Sequence, residues 1–291
     1  MSGRRPRRPL WVAALRRLGL GLIVFSAAVA ALLLARERLV DREQAEIEAE
    51  RSARLAQAAQ GLPLAGTPDL GDLAGRLSAA GLRLGAPVFI RVFKREFELE
   101  LWLARGGRFQ RFAVYPICRW SGRLGPKLAE GDGQAPEGFY TVDAKALNPA
   151  SRWHRSFDLG FPNAFDRAHG RTGSYLMVHG GCASIGCFAM TDPAIDEIWR
   201  LVTAALAAGQ PRFHVHVFPF RMTQENLDRR RSSPWAAFWQ ELKHGYDAFE
   251  ATHRPPRVSV CDGRYRIAPA AQGEGGGAVD SACFTLSDGS G

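Results

Sequence analysis

The sequence predicts a mostly-β domain with one internal helix, a helical extension after it and a membrane-crossing helix before it. Three observations carry this. Between residues 86 and 220, short stretches alternate apolar and polar residues and are separated by turn residues. Helical spacing of apolar residues occurs once inside that region and again, rich in aromatics, beyond it. Near the start, an uncharged run of 18 residues, Leu18–Ala35, lies between arginines.

That run makes a helix of roughly 27 Å at ~1.5 Å per residue, enough for a bilayer core. Arginines precede it, so the positive-inside rule keeps the N-terminus in the cytoplasm and sends everything after residue 36 across the inner membrane. The small residues in AAVAA offer a competing reading, a cleaved signal peptide. Either reading places the domain in the oxidising periplasm. Residues 1–36 are thus a basic N-terminus with an anchor or signal. Residues 37–85 form a helical stalk and linker, because RERLVDREQAEIEAERSARLAQAAQ is rich in Glu, Arg, Ala and Gln and GLPLAGTPDLG breaks the pattern. A short amphipathic helix with Leu73, Leu77 and Leu82 closes this segment.

In the β region, PVFIRVF, FELELWL and FQRFAVYPI read as an antiparallel meander with KRE and ARGGR as turns. EGFYTVD, SYLMVHG and PRFHVHVFPF read as further strands. The internal helix is DPAIDEIWRLVTAALAAG, with Pro193 in its first turn and Gly209 after its end. Residues 221–269 read as a helical extension packed on the domain, since Trp235, Phe238, Trp239, Leu242, Tyr246 and Phe249 fall at helical spacing and Ser233 precedes Pro234 as a cap. The Gly-, Ala- and Ser-rich residues 270–291 are expected to be disordered.

The formal net charge is +9, but nine arginines against Glu37 and Asp41 place +7 of it in residues 1–42. The remainder is near neutral, which argues against a nucleic-acid partner. The chain has five cysteines, so they cannot all pair within it.

One short stretch, MVHGGCASIGCFAM, concentrates reactive side chains: His179, Cys182 and Cys187. Three readings compete. A structural metal site would enlist these three with His214 and His216, although the spacing lacks a CxxC knuckle and no metal is assigned. A Cys182–Cys187 disulfide suits the compartment, with Cys261 and Cys283 as another candidate pair and Cys118 the remaining cysteine. In the third reading Cys187 is a nucleophile. Gly186 lets the backbone turn tightly before it, and His179 at the end of an apolar strand supplies the imidazole that a thiol needs. The N–H groups of Gly186 and Cys187 would then be oxyanion donors.

The same stretch resembles the signature of the L,D-transpeptidase catalytic domain, the YkuD-like family of cell-wall enzymes. That signature sets an HG histidine ahead of an [ST]-H-G-C nucleophile motif. His179 and Gly180 match the first part; Ser184, Gly186 and Cys187 match the second. APEGFY resembles the family's TPxGxF/Y strand. LGPKLAEGDGQAPEGFY, SFDLGFPNAFDRAHGRTGS and FPFRMTQENL resemble the YafK-type subgroup, so the likeness covers roughly residues 86–260. Three features depart from the pattern. Ile185 stands where the wider family has a second histidine, Ala189 where many members have Arg or Asn, and the interval from His to Cys is short.

The resemblance implies a β-sandwich-like catalytic domain and a cysteine enzyme without a cofactor. Cys187 would form a thioester with a diaminopimelate-containing peptidoglycan stem peptide, His179 would move the proton, and the Gly180 carbonyl would orient the imidazole. Transfer to an amine makes a transpeptidase. Transfer to water makes a hydrolase, and some YafK-type members are associated with releasing outer-membrane lipoprotein from peptidoglycan. A non-catalytic peptidoglycan-binding module is a further alternative, against which the retained His179 and Cys187 argue. Because stem peptides carry carboxylates, Arg171 and Lys127 are candidate substrate contacts, with Arg119 and Arg123 behind them. His154 and Tyr140 are candidate cleft residues, and Ser184 a candidate hydrogen-bond donor near the thiolate.

Overall fold

A computed structural model describes the backbone of residues 10–270 together with Gly277, Val279 and Cys283. Side chains are described for residues 25–31 and 42–270 and for those three. Two compact units result, Met1–Glu50 and Arg51–Gly291.

Helix α1 (Leu10–Ala59) runs through the apolar stretch and the stalk alike. The basic residues 1–9, most of the Leu18–Ala35 side chains and most of the tail expected to be disordered lie outside the described residues. Among the described residues no helix is long and apolar enough to cross a membrane. The end of the stalk departs from a solvated rod: Arg51 is buried, its guanidinium stacks 4.1 Å over Trp120, and it donates to the Gly122 carbonyl at 2.7 Å. A long arginine stem covers apolar surface while its head finds an acceptor. Helix α2 (Leu73–Ala79) is capped by the Asp72 carboxylate on Gly75 N–H and buries Leu73 and Leu77.

Strands β1 (Val88–Phe93), β2 (Glu98–Arg105) and β3 (Arg108–Pro116) form the expected antiparallel meander. Then come β4 (Arg119–Trp120), β5 (Gly138–Asp143), β6 (Leu147–Ser151), β7 (His154–Asp158), helix α3 (Ala164–Ala168), β8 (Met177–His179), β9 (Phe188–Ala189), helix α4 (Asp192–Ala207) and β10 (Arg212–Phe218). They make two mixed five-stranded sheets, ordered β3-β2-β1-β10-β5 and β4-β9-β8-β7-β6, with β10 parallel to β1 and β9 parallel to β8. Strand β8 is shorter than SYLMVHG because Tyr175 lies at φ 54° and is exposed.

The central strands of the first sheet, β1 and β10, are buried on both faces. Phe213 meets Phe157 of the second sheet edge to face at 5.4 Å between centroids. On the other face Phe89, His216 and Phe218 form an aromatic layer under helix α6 (Ala236–Thr252), with Phe89 4.5 Å from Phe249 and Phe218 5.5 Å from Tyr246. His216 lies edge-on between Phe89 and Phe139, and burial depresses its pKa far below the ordinary imidazole value, so it is neutral. It is core, and among the described residues no three His, Cys, Asp or Glu converge as metal ligands.

The extension is mixed rather than helical. After α5 (Gln224–Arg229) and α6 comes a hairpin of β11 (Arg257–Cys261) and β12 (Arg264–Ala268). Asp262 and Gly263 form its two-residue turn with φ of 51° and 70°, the left-handed pair that a tight hairpin needs. Phe238, Trp239, Leu242, Val258, Val260 and Tyr265 join Phe93, Phe139 and Phe218 in one core cluster, so the extension is part of the domain's interior. Two disulfides are present, Cys118–Cys182 and Cys261–Cys283. The first replaces the Cys182–Cys187 pairing that proximity in sequence suggests. It joins positions 64 residues apart, which in the chain-entropy account contributes about 4 kcal/mol.

Candidate active site

The short parallel pair β8–β9 builds the site. Val178 lies opposite Phe188 and His179 opposite Ala189. Continuing the register back one residue sets Cys187 beside Met177, whose N–H reaches Cys187 Sγ at 3.4 Å. The thiol faces the Tyr175 carbonyl at 3.5 Å as donor. Cys187 is half-buried and is the free cysteine among the described residues.

His179 is 2% exposed. Its Nδ1 lies 2.6 Å from the Gly180 carbonyl, and a carbonyl only accepts, so the proton is on Nδ1 and Nε2 is the basic nitrogen. The Trp153 ring lies 6.0 Å away at 31° to the imidazole. Two glycines are required here, Gly181 because it takes φ 82°. A Cβ on Gly180 would come within 2.5 Å of Asp192 Oδ1, and Gly181 N–H donates to that same oxygen at 2.8 Å. The first turn of α4 thereby holds the carbonyl that holds the histidine.

Burial pushes the His179 pKa down, partly opposed by the Gly180 bond. Burial also pushes the Cys187 thiol up, and the Asp158 charge adds to this while Met177 N–H and Lys127 work against it. Both shifts favour the neutral forms, imidazole and thiol.

The loop between them is pinned at several points. Cys182 is bonded to Cys118, which itself donates its N–H to the Ala189 carbonyl at 2.9 Å. Ser184 Oγ donates to the Cys187 carbonyl at 2.6 Å, so it fixes the Cys187 backbone instead of reaching the sulfur. Gly186 takes φ 104°, a conformation other residues resist, and its N–H donates to Ser121 Oγ, which removes it as a ready oxyanion donor.

Other candidates fall elsewhere. Arg171 is buried, donating to Asp166 at 2.8 Å between the rings of Phe165 and Phe238, so it serves the core and not a substrate. Tyr140 is 1% exposed and donates to Asp166 at 3.1 Å and the Glu137 carbonyl at 3.2 Å, a strand-core role. Lys127 stays near enough to act on the thiol, but its ammonium is committed to Asp132 at 2.6 Å and to the Ala129 carbonyl at 2.8 Å. His154 is exposed beside Gly180 and bonds Asp196 at 2.8 Å. Arg119 and Arg123 flank the start of the Ser121 loop. Residues that sequence reading passed over are Ser121, Trp153, Asp158 and Asp192. Only Trp153, a large aromatic beside His154 in a polar stretch, offered a signal.

A family model described as L,D-transpeptidase catalytic domain matches residues 87–217. The chain is 51% identical over 184 residues to the Escherichia coli (strain K12) protein named "Putative L,D-transpeptidase YafK", covering 63% of this chain and 75% of that one. The O157:H7 protein of the same name matches equally. Among solved structures, the helical cell shape determining protein Pgp2 from Campylobacter jejuni is similar at 18% identity and TM-score 0.37, over 60% of this chain and 63% of that one. Bdellovibrio bacteriovorus Bd1075 is similar at 19% identity and TM-score 0.33, over 57% and 64%. The chain thus spans less than two thirds of either solved chain.

Proposed function

The chain belongs to the L,D-transpeptidase catalytic-domain family, and from that premise we propose that it is a peptidoglycan-modifying cysteine acyltransferase with Cys187 as nucleophile and His179 as base. The observation that carries this reading is the strand register: Cys187, the free cysteine among the described residues, stands on the strand next to His179 and two residues along the same face, and the Nδ1 proton of His179 is held by Gly180. In the first half-reaction Nε2 takes the thiol proton as Sγ attacks an amide carbonyl of the stem peptide. The C–N bond breaks, the imidazolium protonates the leaving amine, and a thioester on Cys187 remains. In the second, an amine gives up its proton to Nε2, attacks the thioester, and the thiol is restored as the C–S bond breaks. Water in place of the amine gives hydrolysis, the second reading, which Ile185 favours: it is 89% exposed where the wider family has a second histidine.

The proposed setting is the periplasm, with the arginine-flanked run at Leu18–Ala35 as an inner-membrane anchor. The proposed partners are stem peptides and lipoprotein attached to them. Mass spectrometry of products from peptidoglycan carrying bound lipoprotein tests the assignment. New bridges or exchanged amines, with an acyl adduct on Cys187, are expected for transfer. Released lipoprotein or shortened stems without new bonds would make the enzyme a hydrolase, and no change in either would refute both.

The protonation states set a pH dependence. The base must be neutral, and burial lowers the His179 pKa. The acid limb of the kcat/KM profile is therefore expected to have its midpoint below about 6.5, the ordinary imidazole value. A midpoint above that value would mean that the catalytic base is not the buried, weakened imidazole of His179.

A further inference from the structure

A half-buried carboxylate stands in the strand row of the nucleophile with no ion pair among the described residues. Asp158 ends β7 directly opposite Met177 of β8, and Met177 is beside Cys187. Asp158, Met177 and Cys187 therefore form one row across three adjacent strands, with the outer Cα atoms about 10 Å apart. The next row on the same face, two residues along, is Ser156, His179 and Ala189. Among the described residues the Asp158 carboxylate has one hydrogen bond, from Gly160 N–H at 2.8 Å, and no ion pair. The nearby cation, Lys127, is bound to Asp132. A partly desolvated charge left unpaired is costly, and burial raises the Asp158 pKa accordingly, so a cation that pairs with the carboxylate relieves that cost.

We propose that Asp158 is a specificity residue of the acyl-donor site, receiving a primary ammonium carried by the side chain of the residue whose carbonyl Cys187 attacks. The proposal rests on the acyl-transfer reading and names the donor class: a peptide whose diamino acid has its distal amine free. A crosslinked or acylated amine has no charge to offer and is disfavoured. Pairing also acts on the nucleophile. The charged groups facing the thiol are Asp158 and Lys127, with neutral His179 as the base, and the Asp158 charge opposes thiolate formation. A bound ammonium offsets that charge, so the correct donor helps to activate the cysteine that attacks it.

The test uses the disulfide-intact protein. Two stem peptides are compared, one with the distal amine free and one with it acetylated, and acylation of Cys187 is followed by mass spectrometry. Wild type is expected to prefer the free amine roughly tenfold in kcat/KM, the size of one charge-assisted hydrogen bond. Asp158→Asn is expected to lose that preference, and Asp158→Glu to recover part of it. A second readout needs no turnover: the labelling rate of Cys187 by cationic 2-aminoethyl methanethiosulfonate, divided by that for the neutral methyl reagent, should fall several-fold in Asp158→Asn. Equal use of both peptides by wild type, or an unchanged labelling ratio, would overturn the proposal alone. Failure of wild type to acylate with either peptide would instead overturn the acyl-transfer reading and this proposal with it.

Discussion

Cys187→Ala is expected to abolish turnover, with kcat falling by about 10³-fold or more, as when the nucleophile of a covalent mechanism is removed. The fold should be retained. The Cys187 side chain is half-buried and contributes only two weak sulfur contacts, with Met177 N–H and the Tyr175 carbonyl. The loop that presents it is held by other groups: Cys182 through its disulfide, Ser184 on the Cys187 carbonyl, and Ser121 on Gly186 N–H. Urea denaturation should therefore give a midpoint close to wild type, while the acyl adduct and product disappear together. Unchanged product formation would remove Cys187 from the mechanism.

Lys94→Met is expected to cost about 3–5 kcal/mol of stability, the penalty for breaking a buried ion pair from one side. Both partners are completely buried. Lys94 Nζ donates to Glu137 Oε1 at 2.9 Å and to the carbonyls of Gly125 and Ala135 at 2.9 and 3.0 Å. Glu137 also accepts from Gly125 N–H at 2.7 Å and from Trp239 Nε1 at 2.8 Å. This one cluster ties the end of β1, the Ser121–Lys127 loop, the start of β5 and helix α6. Methionine fills the volume but leaves the buried carboxylate without its countercharge and takes one donor from each of the two carbonyls, which keep Gln134 Nε2. The urea midpoint should drop with little change in slope. In Lys94→Met/Glu137→Gln, part of the loss should return, because the orphaned charge is gone. A single variant within about 0.5 kcal/mol of wild type would show that the pair is dispensable.

The sequence was legible where periodicity is strong. The meander β1–β3, the internal helix α4 and the aromatic helix α6 follow from alternation or helical spacing, because each buries one face against a neighbour. Strands β4 and β9 have two residues each, too few for any period, and exist because they pair with each other. The β11–β12 hairpin carried a readable signal, Asp262–Gly263 between VSVC and RYRI, masked by the strong helix before it. In the site, His179 and Cys187 were marked by glycine-rich surroundings and by resemblance to a known signature. Arg171 and Tyr140 looked like cleft residues because a charge or hydroxyl in sequence does not reveal that Asp166 already engages it.

By itself, then, the sequence determined the fold's main elements and the family and nominated the pair His179–Cys187, since these depend on local pattern and on residues eight apart. Only the tertiary structure decided that Cys118 takes Cys182 and leaves Cys187 free, that Ser121 takes Gly186 N–H, and that Asp158, without an ion pair among the described residues, stands in the row of Cys187. Those relations join residues far apart in the chain, and hydrogen bonds, disulfides and ion pairs are chosen by which groups the packed sheets bring within a few ångströms.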